Sequence, residues 1–152
     1  RHRGLPPTPT LVVLTGTGAI DPDHPALAAG ALVMTTRRGA ERLRGRLPGG
    51  VTVITLSGGD RPGPAQAVAE LRRRGHRVIL SEAGPHLFGS LLAAGLVDEF
   101  FLTQSPVLAG AASPGALRLI EGVSLPHHVG TQGTLLSVRR HREHLLLRYA
   151  LG

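Results

Sequence analysis

The chain has 152 residues and a formal net charge of +7, and all 17 of its basic residues are arginine. That length is enough for one domain with its own core, and the absence of cysteine excludes a disulfide scaffold and a thiolate metal site. No apolar run approaches the ~18 residues needed to cross a bilayer, and Arg1-His2-Arg3-Gly4 lacks the apolar centre of a signal peptide, so the expectation is a cytoplasmic protein with no membrane partner.

Arg1 to Thr10 is a basic, proline-rich lead. Leu11 to Leu14 predicts a short buried strand, closed by the loop Thr15-Gly16-Thr17-Gly18, and Asp21-Pro22-Asp23-His24-Pro25 is a turn. Ala31 to Met34 predicts a second strand, followed by Thr35-Thr36-Arg37-Arg38 and a short helix-like segment to Leu47. Pro48-Gly49-Gly50 leads into a third strand, Val51 to Leu56, which ends in Ser57-Gly58-Gly59-Asp60. From Pro64 to Arg74 the apolar positions Ala65, Val68, Ala69 and Leu71 follow helical spacing, with Gly75 as the stop.

A further apolar run, Arg77-Val78-Ile79-Leu80, reads as a buried strand, and at its end the most informative stretch begins: Ser81-Glu82-Ala83-Gly84-Pro85-His86-Leu87-Phe88. Gly84 has no Cβ, so a ligand can come close to its backbone, and Pro85 suits the first helical position, where a missing N–H costs nothing. The unpaired N–H groups of the first turn and the helix dipole then make an anion site, to which His86 can add a donor. Glu82 stands at the strand's carboxyl end, where open α/β sheets place their ligands; capping of the helix is its plain alternative. Leu91-Leu92-Ala93-Ala94-Gly95 ends that helix, and Asp98-Glu99 opens a strand to Thr103, with a loop at Pro106-Val107-Leu108-Ala109-Gly110. Thr134 to Val138 and Leu145 to Ala150, joined by Arg139-Arg140-His141-Arg142-Glu143-His144, predict an antiparallel hairpin.

Strands alternating with helices imply an α/β fold with a mostly parallel sheet flanked by helices and closed by the hairpin. The arginines are scattered and aromatic residues are only 3% of the chain, so no nucleic-acid partner is expected. Metal binding is not expected either: His127-His128 are adjacent, and His141 and His144 sit at a hairpin tip without a carboxylate cluster. Asp98 and Glu99, neighbours on one strand, point to opposite faces and read as structural.

From Val78 to Gly110 the chain resembles the reductase domain of riboflavin biosynthesis, the pyrimidine reductases of the dihydrofolate reductase superfamily. Their hallmarks are a Glu-Gly-Gly-Pro turn, a Leu-rich helix, a Gly-Leu-x-Asp-Glu corner and a Pro-x-Leu-x-Gly loop. Here the turn is Glu82-Ala83-Gly84-Pro85, with alanine for the first glycine, and the corner is Gly95-Leu96-Val97-Asp98-Glu99. The lead Gly4-Leu5-Pro6-Pro7-Thr8-Pro9 followed by Leu11-Val12-Val13-Leu14 is similar to the family's run before its first adenosine-side strand. The resemblance implies a single dihydrofolate reductase-like domain over residues 1–152, and NADPH as cofactor. It places Thr15, Gly16 and Thr17, with Thr35, Thr36 and Arg37, near the adenosine ribose and its 2′-phosphate. It places Ala83, Gly84, Pro85, His86 and Leu87 at the pyrophosphate and Glu82 at the reacting centre.

The substrate implied is an aminouracil ribosyl phosphate or a related small molecule, and the assembly implied is a homodimer. The family's earlier strands, with a Met-Ser-Leu-Asp-Gly type of segment and a Gly-x-Gly-Thr loop, do not occur in these 152 residues. The chain is therefore expected to be the C-terminal portion of a reductase domain lacking the N-terminal strands. A non-catalytic nucleotide-binding or assembly module of the same fold is the alternative.

Overall fold

The computed structural model describes residues 8–59, 62–108, 118–124 and 132–151. Parts of several sequence expectations lie outside them: the lead up to Pro7, Asp60 of the third-strand loop, Ala109 and Gly110, and His127-His128. The chain divides into two compact units, Arg1–His76 and Arg77–Gly152.

The first unit carries three parallel strands in sequence order, β1 (Val12–Thr15), β2 (Ala31–Thr35) and β3 (Val51–Thr55). A 3-10 turn, Pro25–Leu27, lies between β1 and β2; α1 (Arg37–Leu43) connects β2 to β3, and α2 (Pro64–Arg73) follows β3. Leu14, Met34 and Ile54 are direct neighbours across the ladder. Since side chains alternate along a strand, these residues share a face with Val12, Leu32 and Leu56. That face packs on Ala67 and Leu71 of α2. The opposite face of β2 carries Ala31, Val33 and Thr35, and Leu43 of α1 is buried with them. Strand β2 is thus covered on both sides, with Val33 and Met34 at 0% exposure, and burying each such side chain contributes about 2 kcal/mol.

Two helix ends follow directly from glycine. At Gly75 and Gly95 the backbone takes φ of +89° and +64°. His76 N–H then donates to the Leu71 carbonyl at 3.0 Å and Leu96 N–H to the Leu91 carbonyl at 3.0 Å. This is the Schellman closure of a helix, open to glycine because a Cβ is penalised there.

In the second unit α3 (Pro85–Ala93) precedes an antiparallel sheet of order β4-β6-β5, formed by β4 (Glu99–Gln104), β5 (Gly133–His141) and β6 (His144–Leu151). Phe88 of α3 stacks on Phe100 of β4 with ring centroids 5.1 Å apart, and Phe100 lies 6.4 Å from Tyr149 of β6. Such aromatic pairs contribute about 1 kcal/mol each beyond their area. Gly89 is the only buried residue of α3, because the segment 118–124 crosses it: a Cβ there would meet the Glu121 carbonyl at 2.8 Å. On the other face of the sheet Arg148 grips the Glu99 carboxylate through two N–H groups and lies 5.7 Å from the Phe101 ring centre. This pairing holds the Glu99 carboxyl below its ordinary value, in keeping with a structural role for that residue.

One expectation fails. Arg77-Val78-Ile79-Leu80 forms no strand, and Val78 and Leu80 are 82% and 76% exposed. An apolar run becomes a strand only where a neighbour completes its ladder, and no described residue pairs with this one. The element boundaries otherwise shift by one to four residues, the largest change being the α1 region, whose helix ends at Leu43 instead of Leu47.

Gly39 of α1 leaves no room for a side chain: an added Cβ would collide with the Thr35 hydroxyl and approach Gly18 N at 3.1 Å. Gly39→Ala, which ordinarily strengthens a helix, is expected to lower the unfolding free energy by about 1–3 kcal/mol, measured by urea denaturation. In α2, hydrogen bonds from Arg73 and then Arg74 pull the Glu70 carboxyl from 4.5 to about 2. A lowered folded-state pKa gives stability that is present above the unfolded value and lost as pH falls toward the folded one. Glu70→Gln should therefore flatten the acid limb of a stability profile between about pH 4.5 and pH 2, leaving it unchanged in shape near neutrality.

Candidate cofactor site

In the first unit the loop that follows β1 and the start of α1 are joined by one hydroxyl. The Thr36 side chain, 4% exposed, donates to the Gly16 carbonyl at 2.7 Å and accepts from Gly39 N–H at 3.1 Å. It is both the N-cap of α1 and the tie to the β1 loop. Gly18, at φ +65°, lies so close to Gly39 that a Cβ would sit 2.6 Å from the Gly39 carbonyl. Thr15 Oγ1 accepts from Gly18 N–H at 3.2 Å and closes the same loop.

The six adenosine-side expectations thus come together in one place, but with unequal chemistry. Thr36 is committed to the fold, Thr15 is half-buried, and Gly16 gives its carbonyl to Thr36. Thr35 is fully buried against Gly39, and its hydroxyl has no hydrogen-bond partner among the described residues. Thr17 and Arg37 are exposed, so they are the side chains of the six that can reach a ligand from here.

The second group of expected residues lies in the second unit, at the start of α3. Gly84 is the N-cap, with φ −65° and ψ 173°, and Pro85 is the first helical residue. No side chain caps this end. Phe88 N–H bonds to the Gly84 carbonyl at 3.1 Å, which leaves the N–H groups of His86 and Leu87 without a partner among the described residues. Glu82 is exposed and makes no capping bond to α3. Ala83, Gly84 and His86 are exposed as well, and Leu87 is half-buried.

Gly84 itself needs explaining. Its φ is one that any residue adopts, and a Cβ built on it meets nothing within 4 Å. Neither its backbone conformation nor packing against the described residues requires glycine there, although glycine is a favourable N-cap.

The segment 118–124 is a participant that sequence reading missed. Glu121 N–H donates to the Pro85 carbonyl at 3.2 Å, and Gly122 lies so close to His86 that a Cβ would stand 2.9 Å from Nδ1. The available signal was Gly89, an interior helix glycine, which marks a close approach without saying of what. His141 and His144 face each other across the end of the hairpin. Among the described residues no group of three or more His, Cys, Asp or Glu side chains is placed to hold a metal. No described helix is long and apolar enough to cross a membrane.

The family model described as RibD C-terminal domain matches residues 2–147. The chain belongs to the RibD C-terminal domain family. Two solved structures of Acinetobacter baumannii RibD are similar to it, form 2 at 20% identity and TM-score 0.70 and form 1 at 19% and 0.69. Each alignment covers 95% of this chain and 38% of the other. A pyrimidine reductase-like protein from Corynebacterium diphtheriae matches at 22% identity and TM-score 0.69, over 95% of this chain and 61% of that one. This RibD C-terminal-type chain therefore spans well under half the length of the RibD chains it matches. No curated protein matches it. At these identities the likeness to solved structures establishes the fold alone, which is dihydrofolate reductase-like, and membership of the family rests on the RibD C-terminal domain model.

The Thr36 junction is testable without any ligand. Thr36→Val keeps the shape of the side chain and strands the Gly16 carbonyl and the Gly39 N–H. A loss of about 2 kcal/mol in urea unfolding is expected, against a much smaller change for Thr17→Val on the exposed loop.

Proposed function

We propose that this RibD C-terminal-type domain is an NADPH-dependent pyrimidine reductase that reduces the ribosyl group of an aminouracil ribosyl phosphate, as in riboflavin biosynthesis. The observation that carries the reading is Gly84: an exposed glycine at an uncapped helix start, with open space where a side chain would be and two unpaired N–H donors beside it. Such an arrangement suits a group of two linked phosphates, whose oxygens accept from backbone N–H groups and are favoured by the positive end of the helix dipole. Family membership agrees with it.

In this reading the backbone N–H groups of His86 and Leu87 bind the pyrophosphate, with Ala83, Gly84 and Pro85 forming the turn that lets it approach. The imidazole of His86 donates to a phosphate oxygen. Thr17 and Arg37 hold the adenosine side, because hydroxyl and guanidinium groups both donate and arginine can do so with two N–H groups at once. Thr15, Gly16, Thr35 and Thr36 set the shape of that loop. When bound, the reduced nicotinamide supplies a hydride to the ribosyl carbon. Glu82 orients the nicotinamide or the substrate by accepting hydrogen bonds. The small-molecule substrate, cytoplasmic location and homodimeric assembly are parts of the same proposal.

The test separates fold from cofactor. Gly84→Leu adds a side chain where no described residue stands, so its unfolding free energy should fall by no more than about 1 kcal/mol, the cost of leucine for glycine at an N-cap. Calorimetric titration should show NADPH binding to the parent, preferred over NADH, and roughly tenfold or greater weakening in the variant, a loss of about 1.4 kcal/mol. Equal NADPH affinity in parent and variant would remove the pyrophosphate turn from the proposal.

A further inference from the structure

The free edge of the first unit's sheet shares only Arg37, at the end of one flanking groove, with the cofactor reading. Leu56 N–H donates to the Thr35 carbonyl at 2.8 Å. In a parallel ladder alternate residues face the same neighbour, so positions 52 and 54 also turn toward β2, and the N–H and C=O groups of Val53 and Thr55 turn outward. Val51 N–H is already taken by the Pro48 carbonyl at 3.0 Å. Among the described residues no strand pairs with this outer side.

Exposed edges in natural proteins are commonly blunted by a charge, a proline or a bulge. The sequence Val51-Thr52-Val53-Ile54-Thr55 has none of these, and its register with β2 is unbroken.

A groove runs along each side of that edge. One, of about 550 Å³, lies toward α2 and includes Ile54, Glu70, Arg73 and Arg74. The other, of about 600 Å³, lies toward α1 and includes Arg37, Glu41, Arg44 and Val51. Val53 and Thr55 line both. Among the described lining residues each groove has two guanidinium groups against one carboxylate, a surplus of one positive charge on either face of the same open strand. In the α2 groove both guanidinium groups hydrogen-bond to Glu70 and leave their remaining N–H groups for a further acceptor.

We propose that the outer edge of β3 accepts an extended acidic segment of a partner protein as an added strand, with its backbone paired to Val53 and Thr55 and its carboxylate side chains in the two arginine-bearing grooves. Backbone pairing gives such a site its affinity, and the alternating side chains that fall into the two grooves give it specificity. Two copies of this chain meeting edge to edge would bring positive grooves together, which opposes self-pairing. A single-stranded nucleic acid would meet the charge but no stacking ring, since the strand and both grooves lack aromatic residues.

The experiment is a fluorescence anisotropy titration of the full chain with the labelled, capped peptide Thr-Glu-Glu-Val-Glu-Glu-Thr, whose neighbouring glutamates point to opposite faces of a strand. Binding is expected, with no binding of the same peptide carrying lysine for glutamate. Val53→Pro removes one outward N–H without touching the inner ladder and should weaken binding roughly tenfold, about 1.4 kcal/mol. If Val53→Pro loses its far-ultraviolet circular dichroism, the exposed pair Arg44→Glu and Arg73→Glu carries the test with the same expected loss. Absence of binding, binding insensitive to these changes, equal binding of a single-stranded oligonucleotide, or a dimer that Val53→Pro converts to monomer would each overturn the proposal.

Discussion

The first unit depends on β2 being buried from both sides. A parallel strand with helices on its two faces has no solvent-facing side, and here Val33, Met34 and Thr35 reach 0% exposure. That burial forces the chain leaving the strand to solve its polar problem locally, because backbone groups in a closed interior must find partners. Thr36 solves it with one hydroxyl that serves Gly16 and Gly39 together. The close packing of Gly18 on Gly39 follows, since a tie of that length draws the loop onto the helix. The residues that shape the loop after β1 are therefore the ones that close the core, and of the six at this junction only Thr17 and Arg37 stay exposed.

The second unit is built differently. Its sheet is held on one face by a short aromatic column, Phe88, Phe100 and Tyr149, and on the other by Arg148 bridging Glu99 and Phe101. Phe101 is nonetheless 63% exposed, and Val78 and Leu80 are more so. The start of α3 sits in this thinly packed region, with segment 118–124 laid along the helix at Gly89. The same segment ties the start of α3 through Glu121 N–H and the Pro85 carbonyl, while no described residue fills the space beside Gly84.

The chemistry divides along the same line. Donors that the fold has spent, such as the Thr36 hydroxyl, cannot also serve a phosphate, whereas the N–H groups of His86 and Leu87 are unspent because Pro85 and Gly84 bring no capping side chain. A hydroxyl-rich motif in a sequence does not distinguish these cases. Thr35, Thr36 and Thr17 look equivalent as letters, yet one is buried with no hydrogen-bond partner among the described residues, one is a double hydrogen-bond hub and one faces solvent.

Local rules that act within a few residues were legible in the sequence. Gly75 and Gly95 ended helices because only a left-handed residue closes them cheaply, Pro64 and Pro85 opened helices, and the paired apolar runs near the C-terminus made a hairpin. The motif resemblance reached the family and the fold by the same route, through residues close together in the chain. Tertiary structure alone decided what depends on distant partners. Arg77-Val78-Ile79-Leu80 has the composition of a buried strand but no paired neighbour among the described residues, and composition carries no information about whether a ladder is completed. Gly39 against Gly18, Gly89 under Glu121, and Arg148 on Glu99 across 49 residues of chain are contacts no local period predicts. Sequence fixes which conformations each segment favours; which atoms are consumed by the fold and which stay free for a ligand is settled only when the segments meet.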